Sequence, residues 1–465
     1  MNPFIFREYD IRGIADEDLT DQVAFSIGRA FGTVLRRGGG TRVALGRDIR
    51  LSSPRLHSQV GEGLVACGLE VLDVGTMPTP VVYFAEVNRD TDGSLQVTGS
   101  HNPAEYNGFK MTVRGAATYG EQIQEIKELI EGEDYESGEG QLQQISLIDD
   151  YIEAITSRVT LTSPPHIVID AGNGIAGPAA LRIFEELGCR VEGLYCEPDG
   201  TFPNHLPDPT VPLLMEDLQK AVVAGCADLG IGFDGDGDRI GVVDAGGRLI
   251  YGDQLLAIYA RDVLERLGEQ KILFDVKCSQ GLVEDIEAHG GVPHMWKTGH
   301  SLIKAEMKRS GVPIAGEMSG HMFFEEGWFG FDDALYAAAR LLGILDRWGL
   351  PLARAVDDIP YYYSTPELRV GCPDTDKFNV VREVTRRFKE RKDVEVVDID
   401  GARVIFDGGW GLARASNTQP VIVLRFEGCT EEVLEEVRGE FVSMLETFDS
   451  VDLGDLKEAG GSAHP

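Results

Sequence analysis

One pattern recurs three times in the first two-thirds of the chain, and it limits the possible folds more than any other feature. Each round opens on an apolar run ending in polar residues: 42–48 (RVALGRD), 166–170 (HIVID) and 271–275 (KILFD). A helical stretch follows, then a second apolar run preceded by glycine: 68–73 (GLEVLD), 188–192 (GCRVE) and 290–293 (GGVP). Each round then reaches a short third run that ends in a Gly-rich polar loop: 98–103 (TGSHNP), 234–239 (DGDGDR) and 316–321 (GEMSGH). Strand–helix alternation of this kind predicts βαβ units and a largely parallel sheet. Ligands of such sheets gather at strand ends, so three equivalent loops from three related domains are expected to face one cleft.

The last hundred residues depart from that theme. The pattern predicts strands at 367–370 and 420–426, a hairpin of 394–399 and 403–406 around Asp400-Gly401, and helices over 375–392 and 430–448. That is an antiparallel α+β unit. The expected fold is therefore α/β: three related mixed α/β domains plus a C-terminal α+β domain around a central cleft. The divisions expected for 465 residues are 1–150, 151–252, 253–365 and 366–465, with a disordered tail after Asp455.

Composition narrows the partners. With 43 basic against 77 acidic residues the formal charge is −34, which disfavours a nucleic-acid binder, because backbone phosphates need a basic face. An anionic substrate then requires a locally basic pocket. No apolar run reaches the ~18 residues of a membrane span, and Met1 to Arg12 lack a signal-peptide pattern. Seven cysteines without a C-x-x-C pair read as reduced thiols, so a cytoplasmic location is expected.

The loop 234–239 carries the strongest chemical signal. Asp234, Asp236 and Asp238, spaced by glycines, can curl around one hard cation such as Mg²⁺ or Ca²⁺. An EF-hand is excluded, because Arg239 stands where it needs glycine and Ala245 where it needs glutamate. Arg239 beside a metal suits an anionic ligand. Ser100 sits in a tight loop beside His101, but the hydrolase elbow G-x-S-x-G fails at Asn102. A serine near a three-Asp metal loop instead suits phosphoryl transfer. In the third loop Glu317 and Ser319 fall on one side of an extended segment, fit to grip neighbouring sugar hydroxyls, and His321 can move a proton. Arg414, Ser416, Asn417 and Thr418 offer a guanidinium, hydroxyls and an amide for a phosphate. Tyr9, Arg12, Lys110, Lys277 and His300 flank these loops and can supply local positive charge and polar groups. The main rival is 172–177 (GNGIAG), which matches G-x-G-x-x-G after a strand, with Glu197 further on as a dinucleotide fingerprint needs. A close-packed turn of small residues explains it equally well.

The ordered set TGSHNP, DGDGDR, GEMSGH and RASNTQP (414–420), with YDIRG (9–13) and KTGHSLIK (297–304), resembles the α-D-phosphohexomutase superfamily over almost the whole chain, and most closely its bacterial phosphomannomutase/phosphoglucomutase branch. The resemblance implies that Ser100 carries a phosphoryl group and that Asp234, Asp236, Asp238 and a phosphoserine oxygen hold Mg²⁺. It implies that Glu317 and Ser319 hold sugar hydroxyls. Arg414, Ser416, Asn417 and Thr418 would hold the phosphate not being transferred, while Lys277, His300, Arg239, Tyr9 and Arg12 line the cleft. The substrate would be a phosphosugar passing through a hexose 1,6-bisphosphate, and 172–177 would be a structural turn. Lys110 and His321 are both candidates for the base, with Arg12 and His101 as electrostatic helpers. The C-terminal domain is expected to close over the substrate.

Overall fold

The computed structural model describes residues 1–417 and 419–454. Its strands form four sheets of seven, five, four and six strands. In the first sheet the Arg42–Arg47 strand lies between Glu70–Thr76 and Gly93–Val97, parallel to both, and Tyr106–Val113 returns antiparallel. The second sheet repeats that order with His166–Asp170 between Arg190–Leu194 and Leu229–Phe233, then Ile240–Asp244 antiparallel. The third does so with Lys271–Asp275, Val292–Trp296, Ile314–Gly316 and Met322–Phe324. The central strands are nearly continuous Val, Ile, Leu and Ala runs, as helices on both faces require.

In each round the chain leaves the third parallel strand and returns on an antiparallel one. The polar loops 98–103, 234–239 and 317–321 make those reversals. Arg239 and His321 form an antiparallel backbone bridge that joins the second and third loops. Close approach demands glycine here: a Cβ on Gly235 would overlap the Ser100 carbonyl oxygen.

One core runs through parts of the first three domains. Its centre is the Ala334–Trp348 helix, which is buried on most of its circumference. The first domain keeps a second core of its own. The last sheet packs two helices, Lys377–Lys389 and Glu431–Leu445, on one core. It meets the third domain through Val276, Trp410 and Leu412. Within it, Gly409–Ala415 is a strand between Ala402–Phe406 and Val421–Gly428, so Arg414 stands near a strand end instead of in a loop. Two glycines interrupt its apolar pattern, which hid it. The Ile148–Thr156 helix runs across the division expected at 150, and Tyr363–Ser364 pairs into the last sheet ahead of residue 366. The tail after Asp455 lies outside the described residues. Among the described residues no helix is long and apolar enough to cross a membrane.

Candidate active site

Ser100 is buried, in the left-handed region at φ +48°, where a non-glycine residue is uncommon. Its N–H donates to Thr98 Oγ1 at 2.9 Å. Its hydroxyl donates to Asp234 Oδ2 at 2.7 Å and lies 3.1 Å from His101 Nδ1. Burial, with Arg239 and Arg12 nearby, holds the His101 pKa well below its ordinary value. His101 thus stands against the serine hydroxyl, with burial and the neighbouring cations disfavouring a charge on its ring.

The second loop brings Asp234, Asp236 and Asp238 together, none of them solvent-exposed. Asp234 Oδ1 accepts the backbone N–H groups of Gly237, Asp238 and Arg239 at 3.0–3.1 Å, which curls the loop. Burial, then Asp238 and Asp236, raise the Asp234 pKa well above the carboxylate range. Lys110 Nζ donates to Asp236 Oδ2 at 2.8 Å and also to Asp238 Oδ2. Burial opposes its charge, but Asp236, Asp238, Asp234 and Asp332 together raise its pKa. Thr79 adds a 2.5 Å hydrogen bond to Asp236. The second oxygens, Asp236 Oδ1 and Asp238 Oδ1, are buried without a protein donor. Ligand atoms of the three lie within 4.8 Å of one another. Hard oxygen donors so gathered, with two acceptors unspent, fit a divalent cation.

In the third loop Glu317 Oε1 accepts the Gly299 N–H at 2.6 Å, and Ser319 is half-buried beside it. Burial raises the Glu317 pKa. The Met318 N–H donates to Asp275, which also accepts from Thr298, so a strand-end aspartate organises the loop from below. Arg239 Nε donates to His321 Nε2 at 2.9 Å. A guanidinium only donates, so this nitrogen carries the lone pair and the ring proton sits on Nδ1. That nitrogen lies 3.1 Å from Asp332 Oδ2 and 3.6 Å from Asp238. His300 stacks on His321 with centroids 5.4 Å apart.

The fourth group arrives from the last domain. Arg414 Nε donates to Asp400 Oδ2 at 3.0 Å, and Asn417 donates to the Tyr9 hydroxyl at 2.5 Å. Tyr9 in turn donates to the Thr298 carbonyl at 2.8 Å. One hydroxyl therefore ties the first domain to the third and fourth. Ser416 Oγ accepts the Gln419 N–H, and Thr418 lies outside the described residues. Lys277 pairs with Glu367 at 3.2 Å and holds its pKa down at about 2. Arg12 reaches Asp10 and Asn102 at 2.6 and 3.1 Å. The turn 172–177 packs under the metal loop: the Ile175 N–H donates to the Gly235 carbonyl, and the Gly174 N–H donates to Ala171. A Cβ on Gly177 would overlap Cys196. Those N–H groups are spent within the protein, as a structural turn requires.

Sequence reasoning missed Asp332, Lys304, Asp275 and Asp400. Lys304 donates to Asp332 at 2.8 Å, directly behind His321. Lys304 closes the 297–304 motif, Asp275 ends the 271–275 run and Asp400 opens the hairpin turn, but their partners lie 14 to 43 residues away, and Asp332 stands in no motif.

Four models of phosphoglucomutase/phosphomannomutase match the chain in order: α/β/α domain I at residues 3–137, domain II at 149–247, domain III at 251–363 and the C-terminal domain at 367–444. A phosphomannomutase/phosphoglucomutase of Pseudomonas aeruginosa is 48% identical, covering 96% of each chain. A phosphoglucomutase of Neisseria gonorrhoeae is 45% identical, covering 95% of this chain and 97% of its own. The crystal structure of a phosphoglucomutase/phosphomannomutase family protein from Burkholderia thailandensis superposes with a TM-score of 0.90 at 45% identity, over 96% of this chain and 98% of that one. Agreement over the full length in sequence and in structure defines the fold as that of an α-D-phosphohexomutase. The chain belongs to the phosphoglucomutase/phosphomannomutase family, on its bacterial branch.

Proposed function

We propose that this phosphohexomutase interconverts the 1- and 6-phosphates of mannose and glucose through phosphoserine 100 and a hexose 1,6-bisphosphate. The observation that carries the reading is the meeting of three equivalent strand-end loops, with Ser100 Oγ 2.7 Å from a carboxylate of a buried trio. Asp234, Asp236, Asp238 and a phosphoserine oxygen would hold Mg²⁺, which when bound offsets charge on the phosphoryl oxygens.

The protein's own groups do the rest. The phosphoryl group leaves Ser100 Oγ for the free hydroxyl of a hexose 1-phosphate, and the hydroxyl proton passes to a base. Lys110 is held charged by two aspartates and has no lone pair to offer. His321 is assigned the base role, because its Nε2 lone pair faces Arg239; Arg239 must yield that nitrogen to the substrate hydroxyl. The bisphosphate turns over in the cleft. Its other phosphoryl group then returns to Ser100, which leaves the 6-phosphate.

Recognition falls to the sugar loop and the cradle. Glu317 and Ser319 hold adjacent hydroxyls, so both ring orientations are read alike. Arg414, Ser416, Asn417 and Thr418 hold the phosphate that stays, with Arg12, Tyr9, Lys277 and His300 around them. The Tyr9 contacts to Thr298, Arg414 and Asn417 support closure of the last domain over the substrate, which would keep water from phosphoserine. Its sugar-phosphate chemistry suits a cytoplasmic enzyme.

The test is conversion of glucose 1-phosphate and mannose 1-phosphate followed by ³¹P NMR, with Mg²⁺ and a trace of hexose 1,6-bisphosphate. Formation of 6-phosphates by the wild type, and none by Ser100→Ala, is expected. Equal conversion by the variant would refute the phosphoserine route.

A further inference from the structure

Arg50 belongs to none of the groups described so far, yet it is one of the most deeply buried charged side chains in the molecule, with no exposed surface. It lies beneath the loop that carries Ser100. Nη2 donates to the carbonyls of Ser100 at 2.7 Å and Asn102 at 2.5 Å. Nη1 donates to the carbonyls of Pro103 at 2.5 Å and Tyr106 at 3.0 Å. Two nitrogens thus collect four backbone acceptors from seven consecutive residues. Asp48 completes the grip from the same segment. Its Oδ2 lies 3.3 Å from Arg50 Nε and accepts the Gly99 N–H at 3.1 Å.

The guanidinium is also boxed in. Gly99 packs so closely on one side that a Cβ there would overlap Arg50 Nε and Cζ. The ring of Phe202, from the second domain, lies 5.2 Å from Cζ. The Ser100 carbonyl sits between Arg50 Nη2 and the metal loop, where Gly235 leaves just enough room for it.

Four carbonyls turned to one side of a tight loop repel each other and would be buried acceptors without donors. A planar fork of donors satisfies them together, and a lysine ammonium cannot span them. With its carbonyl pulled down, Ser100 stays at φ +48° and presents Oγ upward to Asp234.

We infer that Arg50 is a positioning residue for phosphoryl transfer, whose hydrogen bonds to the carbonyls of residues 100, 102, 103 and 106 hold the Ser100 hydroxyl on line with the metal loop. The inference rests on the reading of Ser100 as the phosphoryl carrier. Arg50 touches no substrate group, so its loss should affect the chemical step and spare recognition, which the third and fourth domains provide.

The test is Arg50→Lys, assayed on glucose 1-phosphate with Mg²⁺ and glucose 1,6-bisphosphate, with backbone amide exchange measured on the same samples. We expect kcat to fall about 100-fold, the scale of an ångström's misplacement of a reacting group. KM should stay within about threefold. Exchange should quicken in 98–106 and nowhere else in the first domain. Phe202→Leu, which removes one wall and keeps the guanidinium, should show the same pattern more weakly and serves if Arg50→Lys does not fold. A folded Arg50→Lys with kcat within threefold of wild type, an equal shift in KM, or unchanged exchange over 98–106 would overturn the inference. Should the wild type itself fail to turn over, the Ser100 reading falls, and exchange over 98–106 still decides whether Arg50 holds the loop.

Discussion

At the transfer end of the cleft Ser100 and the three aspartates of the metal loop are buried and held across domains, Asp234 by Ser100 and both Asp236 and Asp238 by Lys110. At the cradle end Arg414 is held by Asp400 and Tyr9, Asn417 reaches Tyr9, and the adjoining cation Lys277 leans on a partly exposed Glu367. The difference follows from the task. Developing charge at a reacting phosphoryl group needs dipoles that do not reorganise. A phosphate that merely anchors needs charge, and a group that must release it gains from a looser hold. The same contrast appears in domain packing, since the first three domains share a core and the fourth joins through a small cluster around Trp410.

Substitutions can break that comparison or sharpen it. Ser100→Ala should abolish turnover, by about 10⁴-fold or more, while leaving thermal unfolding nearly unchanged. Lys110→Met leaves two buried carboxylates unpaired and should cost about 3–5 kcal/mol in metal-free buffer. Added Mg²⁺ should then raise the Tm of this variant more than that of wild type, and equal shifts would show that Lys110 does not balance the metal loop. Arg414→Ala removes a charge-assisted phosphate contact and should raise KM for glucose 1-phosphate about 10- to 100-fold with kcat little changed. A fall in kcat without a change in KM would erase the distinction between the two ends.

Smaller effects probe the joint of the fourth domain. The Glu367 pKa is about 2 in the fold against 4.5 for an unperturbed glutamate, chiefly through Lys277. A carboxylate depressed in this way stabilises the fold above pH 4.5, and that contribution fades as pH falls from 4.5 toward 2. Because water screens this partly exposed pair, urea unfolding at pH 6 and pH 3.5 should show wild type losing about 0.5–1 kcal/mol more than Glu367→Gln between the two. Tyr9→Phe loses the hydroxyl that meets Thr298, Arg414 and Asn417 but keeps the ring, and should raise KM only about three- to tenfold.

Much of this is legible in the sequence. The apolar runs at 42–48, 166–170 and 271–275 appear as the central strands of three sheets with one strand order. The loops 98–103, 234–239 and 316–321 occupy the same reversal in each. The G-x-G-x-x-G turn at 172–177 shows why a motif alone misleads, since its glycines serve packing under the metal loop. The strand over Gly409–Ala415 went unread because glycines at 409 and 411 dilute its pattern while neighbouring strands supply its stability.

The chain by itself determined its periodic strands, its reversals and the ligand spacing within each loop, because these are set by neighbours a few residues apart. Tertiary structure alone decided which polar and charged groups meet: Lys110 with Asp236, Asp332 with His321, Asp400 with Arg414, and Tyr9 with Asn417. Those pairs are separated by 11 to more than 400 residues. Their distances depend on how whole sheets pack, so no local pattern encodes them. For the same reason the protonation of Lys110 and His101 belongs to the folded molecule. Burial and the charges brought in from other domains set it, and neither exists until the first three domains pack together.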